Sequence, residues 1–192
     1  MKSLFLITAF ILQVLLSAGQ TEKGNWLLGG SFDFSSSKQK IWGSETTTTQ
    51  VEFSPTIGYF IVPNLAVGIN AGIQTTKDKY PGSTSDDKTT LSAVGPFARY
   101  YLGAGSKAKF LAGAAMLFGS TKGILDYSKH TITAYQFEAG PAIFLTESVA
   151  IEFLLNYVNQ HFKGRESFYD ADANRFGFSL GFQFYLKKKS HS

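Results

Sequence analysis

The feature that most constrains this chain is its last apolar run, Arg175 to Leu186, which reads RFGFSLGFQFYL. Phe176, Phe178, Leu180, Phe182, Phe184 and Leu186 alternate with Arg175, Gly177, Ser179, Gly181, Gln183 and Tyr185. Strict alternation is the pattern of an extended strand, because successive side chains point to opposite faces. One face is wholly apolar and carries four phenylalanines; the other is small or polar. So greasy a face requires a deep core or lipid against it, whereas its opposite suits a confined wet space. A strand in the wall of a transmembrane β-barrel meets both demands, since closure leaves no backbone group unpaired in hydrocarbon.

The alternation returns seven more times. Strands are expected at Asn25 to Ser35, Gln50 to Phe60, Leu65 to Thr75, Thr90 to Leu102, Lys109 to Gly119, Thr133 to Leu145 and Val149 to Val158. The seventh, read alone, also fits a helix. Trp26, Phe53, Ile69, Val94, Phe110, Phe137 and Phe153 represent the outward set, which contains no Lys, Arg, Asp or Glu. Arg or Lys at a bilayer midplane costs roughly 2–4 kcal/mol, so a lipid-facing surface is kept free of charge. A soluble sandwich of this size would carry charges on its outer face.

Connections alternate between short and long. Val62-Pro63-Asn64, Gly103 to Lys107 and Thr146-Glu147-Ser148 read as tight turns; Ser36 to Thr48, Thr76 to Lys88, Ser120 to Thr131 and Asn159 to Ala173 read as long polar loops. This is the up-and-down arrangement of outer-membrane barrels, with long loops outside and short turns in the periplasm. Aromatics sort to two heights: Trp26, Tyr59, Tyr100, Phe110 and Phe184 near the turns, Phe34, Phe118, Tyr135, Tyr157 and Phe176 near the loops. Amphipathic rings prefer the headgroup level, so two girdles bracket an apolar band. Against this stand Pro55, Pro96 and Pro141, placed inside strands where a missing N–H has no free edge to excuse it. Their recurrence a few residues before each short turn suggests a bend or bulge at the periplasmic rim.

The 192 residues include 18 phenylalanines, 19 glycines and no cysteine, which disfavours a disulfide-stapled secreted scaffold. Only 17% of residues are charged, and beyond the N-terminus no apolar run is long enough for a spanning helix. The net charge of +4 is concentrated at Lys187-Lys188-Lys189 and is not interleaved with aromatics on one surface, so nucleic acid is set aside as a partner. Residues 1–19 read as a cleaved secretory signal peptide: Lys2, then an apolar segment from Leu4 to Leu16, then Ser17-Ala18-Gly19. Residues 20–192 form the expected barrel domain with a short basic tail.

The inner faces carry Asp33, Glu52, Glu138 and Glu152 against Arg99 and Arg175. An eight-stranded barrel is just wide enough to be filled by side chains, so these charges are expected to pair as a lumen network. Strand heights pair Arg99 with Glu152 or Glu138, and Arg175 with Asp33 across the closure. A gated narrow ion path is the sharper alternative.

Other motifs are weak. Asp170, Asp172 and Asn174 begin like a calcium loop, but Arg175 stands where its glycine belongs and Gly181 where its bidentate Glu belongs. Gly103 to Lys107 lacks phosphate-loop spacing. His130 with Ser128 or Ser120 is a remote hydrolase pairing without a third member, and His161 and His191 lie elsewhere. No catalytic, cofactor or metal residue is assigned.

Together these residues resemble the small outer-membrane β-barrel family of Gram-negative bacteria, the OmpA-type and OmpX-type barrels. The resemblance rests on the leader, the segments from Pro55 to Phe60 and from Gly95 to Tyr101, the hairpin start Asn64 to Gly68, and the Phe-rich last strand. Where such barrels often end on a terminal aromatic, this chain continues past Leu186 with KKKSHS. The resemblance implies an eight-stranded antiparallel barrel in the outer membrane, without a shared catalytic site. Its expected partners are outer-membrane lipid and the barrel-assembly machinery, its expected state is a monomer, and the sequence names no extracellular ligand. A soluble exported lipocalin-like barrel and an outer-membrane lipid-modifying enzyme are the alternatives.

Overall fold

The computed structural model describes residues 20–41, 44–79, 87–103, 107–122, 131–163 and 171–187. The leader (1–19), Asp170, Ser128, His130, Lys188, Lys189 and His191 lie outside them. Eight antiparallel strands follow one another around a closed barrel. They are β1 Trp26–Ile41, β2 Ser44–Val62, β3 Leu65–Lys79, β4 Asp87–Leu102, β5 Ala108–Lys122, β6 Thr131–Phe144, β7 Val149–Lys163 and β8 Ala171–Leu186. Residues 149–158 are strand and not helix.

The alternation sets the wall as the sequence implies. In β4, Leu91, Ala93, Gly95, Phe97, Arg99 and Tyr101 are buried, while Val94, Pro96, Ala98, Tyr100 and Leu102 between them are exposed. Phe32, Phe53, Ile69, Phe137, Leu155 and Phe178 stand on the outer surface, each about half or more exposed. An outer face this apolar is stable only in hydrocarbon, which removes the lipocalin-like alternative. Trp26 and Tyr59 pack edge-to-face at 5.2 Å near the turns, and Tyr157 and Phe176 stack at 4.9 Å near the loops.

Three expectations need correction. First, strand runs into each of the long polar stretches and takes up nearly all of Ser36 to Thr48. A bilayer needs only about 9–11 residues per strand, yet β2 has 19 and the shortest strand 14. Thr46 to Thr49 is a β-branched run of high strand propensity, and Thr48 Oγ1 donates to Asp78 Oδ1 on β3 at 2.6 Å. The barrel therefore continues past the membrane on the loop side. Second, the prolines mark no bulge. Register is unchanged across Pro55, Pro96 and Pro141, but on one side of each the ladder skips two residues: Ser54 with Pro55, Gly95 with Pro96, Gly140 with Pro141. The missing N–H interrupts one ladder locally while the other holds the strand. The register shift that does occur lies between Phe60 and Val62, just before the turn where Asn64 adopts φ 67°. Asparagine tolerates that left-handed conformation.

Third, the lumen face is not uniformly small and polar. Leu27, Phe60, Phe97, Leu111, Phe144 and Leu154 belong to one buried apolar cluster near the turns; Leu91, Leu117, Ile132 and Val158 belong to another near the loops. Water cannot fill so narrow a barrel, so apolar side chains do.

Candidate functional site

Between the two apolar clusters the lumen is polar, and its hub is Glu152 on β7, which is fully buried. Its Oε1 accepts hydrogen bonds from the Tyr101 hydroxyl at 3.1 Å and the Tyr185 hydroxyl at 3.2 Å. Its Oε2 accepts from Gln183 Nε2 at 3.2 Å and from Arg99 Nη1 at 3.3 Å. Arg99 also grips Glu138: Nε lies 2.5 Å from Oε1 and Nη2 3.3 Å from Oε2. This two-point contact matches the fork of a guanidinium to a carboxylate. Arg99 is thus held by both carboxylates that strand height assigned to it, with its Cζ 5.3 Å from the Phe97 ring centroid.

The room for this network is supplied by glycine. A Cβ on Gly113 would stand 2.7 Å from Glu138 Oε1 and 3.1 Å from Arg99 Cγ. Below the network, the rings of Phe60, Tyr101, Phe144 and Tyr185 pack with centroids 5.1–6.1 Å apart. The turn end is then capped by the segment 20–25. Gly24 N donates to Phe60 O at 2.9 Å and Asn64 N to Thr21 O at 2.7 Å. Lys109 Nζ, almost wholly buried, donates to Thr21 Oγ1 at 2.6 Å and Asn64 Oδ1 at 2.9 Å. Lys109 is an inward charge that the sequence reading passed over. The signal was present: Phe110 faces out, so its neighbour must face in.

The loop half is built differently. Arg175 Nη2 pairs with Glu52 Oε2 at 2.6 Å, and not with Asp33. The reason is the closing seam. The β1–β8 ladder runs from Trp26↔Leu186 to Phe32↔Leu180 and stops. The β1–β2 ladder, by contrast, continues to Ile41↔Ser44. The register of the β1–β8 ladder, carried on, would set Asp33 opposite Ser179 and Arg175 opposite Ser37, four residues apart, so the two charges are not cross-strand partners. Past Phe32, moreover, the two closing strands are each paired on one side only. Asp33 makes no ion pair or side-chain hydrogen bond among the described residues. A cavity of about 150 Å³ opens there, lined by Asp33, Phe34, Gln50, Asn156, Arg175 and the segment Phe176 to Phe178.

With this geometry in view, the sequence matches the family of the outer membrane protein beta-barrel domain over residues 3–184. The chain belongs to that family. No curated protein matches the outer-membrane barrel. Among solved structures it is similar to the outer membrane protein OprG from Pseudomonas aeruginosa, at 12% identity and a TM-score of 0.54, over 89% of this chain and 100% of that one. It is also similar to Neisserial surface protein A, at 16% identity and a TM-score of 0.48, over 86% of this chain and 98% of that one. What the chain shares with OprG at that identity is the fold.

On the outer wall of the barrel, at the loop-side rim, His161 Nδ1 and Asp172 Oδ1 lie 2.6 Å apart, and both side chains are exposed. Thr133 stands opposite His161 in register. A hydroxyl, an imidazole and a carboxylate therefore share one row across β6, β7 and β8. Thr133 sits between two ladders, and N–H groups in a strand lie within the sheet and not normal to it, so among the described residues the backbone N–H groups of this row do not point out toward the hydroxyl. Asp172 and Asn174 lie on extended strand, engaged with His161, Tyr157 and Asn159, and do not form a calcium loop.

Proposed function

We propose that the protein is a non-enzymatic outer-membrane barrel whose lumen is sealed against ion flow, so that its work is done by its wall and its loop-side surface. The observation that carries this reading is the turn half of the lumen. Arg99 is clamped between Glu138 and Glu152, and Glu152 is tied to Tyr101, Tyr185 and Gln183. The aromatic cluster and the Lys109-anchored segment lie below them. A passing ion would have to separate buried partners that have no water to replace them. The alternative of a lipid-modifying enzyme needs a nucleophile, a base and an oxyanion site converging at the rim; among the described residues the strand N–H groups at Thr133, His161 and Asp172 lie within the sheet, and the Tyr157 and Asn159 donors are engaged by Asn174.

The test is planar-bilayer recording of the purified protein and of Arg99→Ala. The sealed reading expects no steady unitary currents from the wild type, and from the variant a loss of stability without a defined conductance. Regular single-channel steps from the wild type, altered in size by Arg99→Ala, would replace it with a gated ion path.

A further inference from the structure

The parity of the residues around the seam cavity is unusual for a barrel wall. A cavity inside a closed barrel is lined by inward-facing positions only, because alternate side chains leave on the other side. This one is lined by inward Asp33, Gln50, Asn156 and Arg175 and by outward Phe34, Phe176 and Phe178. It therefore passes through the wall, between β1 and β8, where their ladder has ended at Phe32↔Leu180. Two further observations mark the polar end of the passage as unfilled. Asn156 is more than nine-tenths buried; its Nδ2 donates to Ser179 Oγ at 2.8 Å, but its Oδ1 accepts nothing. A Cβ built on Gly177 would meet no atom within 4 Å, although most glycines of the barrel are pressed against a neighbour.

Height adds the membrane context. Tyr157 and Phe176 form the loop-side girdle, and immediately beyond them the outer wall turns polar at Asn159, His161, Asp172 and Asn174. The passage thus opens at the headgroup level of the outer leaflet, with its phenylalanines directed into the acyl region.

We infer that the β1–β8 seam binds one single-chain amphiphile from the outer leaflet, with a hydrogen-bond-donating cationic headgroup entering the lumen and its tail left among Phe34, Phe176 and Phe178. The headgroup sign follows from what is unpaired. Arg175 is already matched by Glu52 at 2.6 Å, which leaves the Asp33 carboxylate and the Asn156 carbonyl oxygen, both acceptors. A carboxylate or phosphate would meet Asp33 with like charge; an amine supplies the missing donors. The volume is adequate, since a cavity of about 150 Å³ holds a molecule the size of benzene. This inference leaves the sealed turn half untouched: conductance tests that reading, and amphiphile binding tests this one.

The experiment uses the full chain in phosphatidylcholine nanodiscs and measures saturable binding of radiolabelled dodecylamine, 1-dodecanol and dodecanoate against empty nanodiscs. The expected result is one-to-one binding of dodecylamine, tighter than that of 1-dodecanol, with dodecanoate no better than the empty disc. Asp33→Asn should weaken dodecylamine by roughly tenfold or more, the usual scale for losing a charge-assisted hydrogen bond, while leaving 1-dodecanol nearly unchanged. Gly177→Phe, which fills the open space, should abolish binding while the heat-dependent shift in SDS migration shows a folded barrel. If that variant does not fold, Gly177→Val serves the same purpose. Dodecylamine uptake equal to that of empty discs, undiminished binding in the filled variant, or tighter binding of dodecanoate than of the amine would each overturn the inference.

Discussion

The two halves of the lumen are made by the same eight strands, yet they treat charge in opposite ways. Near the turns, Arg99 and Glu152 are almost completely buried, Glu152 accepts from four side chains and Arg99 donates to two carboxylates. Toward the loops, the Arg175–Glu52 pair is single and partly exposed, and Asp33 beside it has no ion-pair partner among the described residues. The difference follows from closure. All eight ladders contribute at the turn end, whereas β1 and β8 are paired over Trp26 to Phe32 only and part company above. A sealed wall permits, and requires, a dry interlocked interior. An opened one admits water or ligand and tolerates a loose pair.

The sharpest way to break this contrast is to make comparable changes in both halves. Arg99→Ala removes the cation from between two buried carboxylates and should cost about 3–5 kcal/mol, the range for stranding a buried charge. A urea-unfolding midpoint measured in lipid vesicles checks it, and a loss below about 1 kcal/mol would show that water reaches the turn half after all. Gly113→Val attacks the same network through space alone. Its side chain would enter the volume held by Glu138 and Arg99, at a cost of about 1–3 kcal/mol by overpacking. The double variant Gly113→Val with Glu138→Ala should lose less than the sum of the two single losses, because the two changes share one contact.

These expectations also mark what the sequence made legible. Alternation alone identified eight strands and which face of each meets lipid, because period two is a local property and lipid allows no exceptions at Phe137 or Leu155. The Arg99 partners were legible for the same reason: Glu138 and Glu152 lie at comparable depths on nearby strands. Where the sequence misled, the deciding quantity was not local. Arg175 takes Glu52, on β2, and not Asp33, which the β1–β8 register sets four residues away from it. No count of residues along β8 contains the register across the closure. The polar hairpin extensions were missed because Ser- and Thr-rich stretches satisfy a turn pattern and a solvated strand equally well. The apolar interior was missed because the inward face of β8, read first, is Arg175, Gly177, Ser179, Gly181, Gln183 and Tyr185, with no aliphatic side chain.

The companion substitution in the loop half is Arg175→Gln. The two side chains are 31% and 15% exposed, so the pair is screened and its loss should cost no more than about 1 kcal/mol. The same urea measurement then yields a severalfold smaller shift than Arg99→Ala. Equal shifts would mean that the seam is as dry as the turn end and that the asymmetry between the halves is false.

The smallest effect lies outside the membrane and serves as a baseline for an ion pair with no burial. In the turn between β6 and β7, Glu147 Oε2 accepts from Lys187 Nζ at 2.6 Å, with both side chains exposed. That hydrogen bond, and then the lysine charge, hold the Glu147 carboxyl below the ordinary glutamate range. A carboxyl depressed on folding contributes stability above its unfolded pKa, and the contribution is lost as pH falls through the folded value. Any contribution of the pair is therefore present near neutral pH and absent in acid, and with both groups in solvent it is too small to move a urea midpoint. Carbon-13 NMR of the Glu147 side chain should show its titration moving back up in Lys187→Ala, while the urea midpoint at neutral pH stays where it was. A measurable loss of stability there would mean that exposed pairs hold this barrel as firmly as buried ones, and the distinction between its two halves would lose its physical basis.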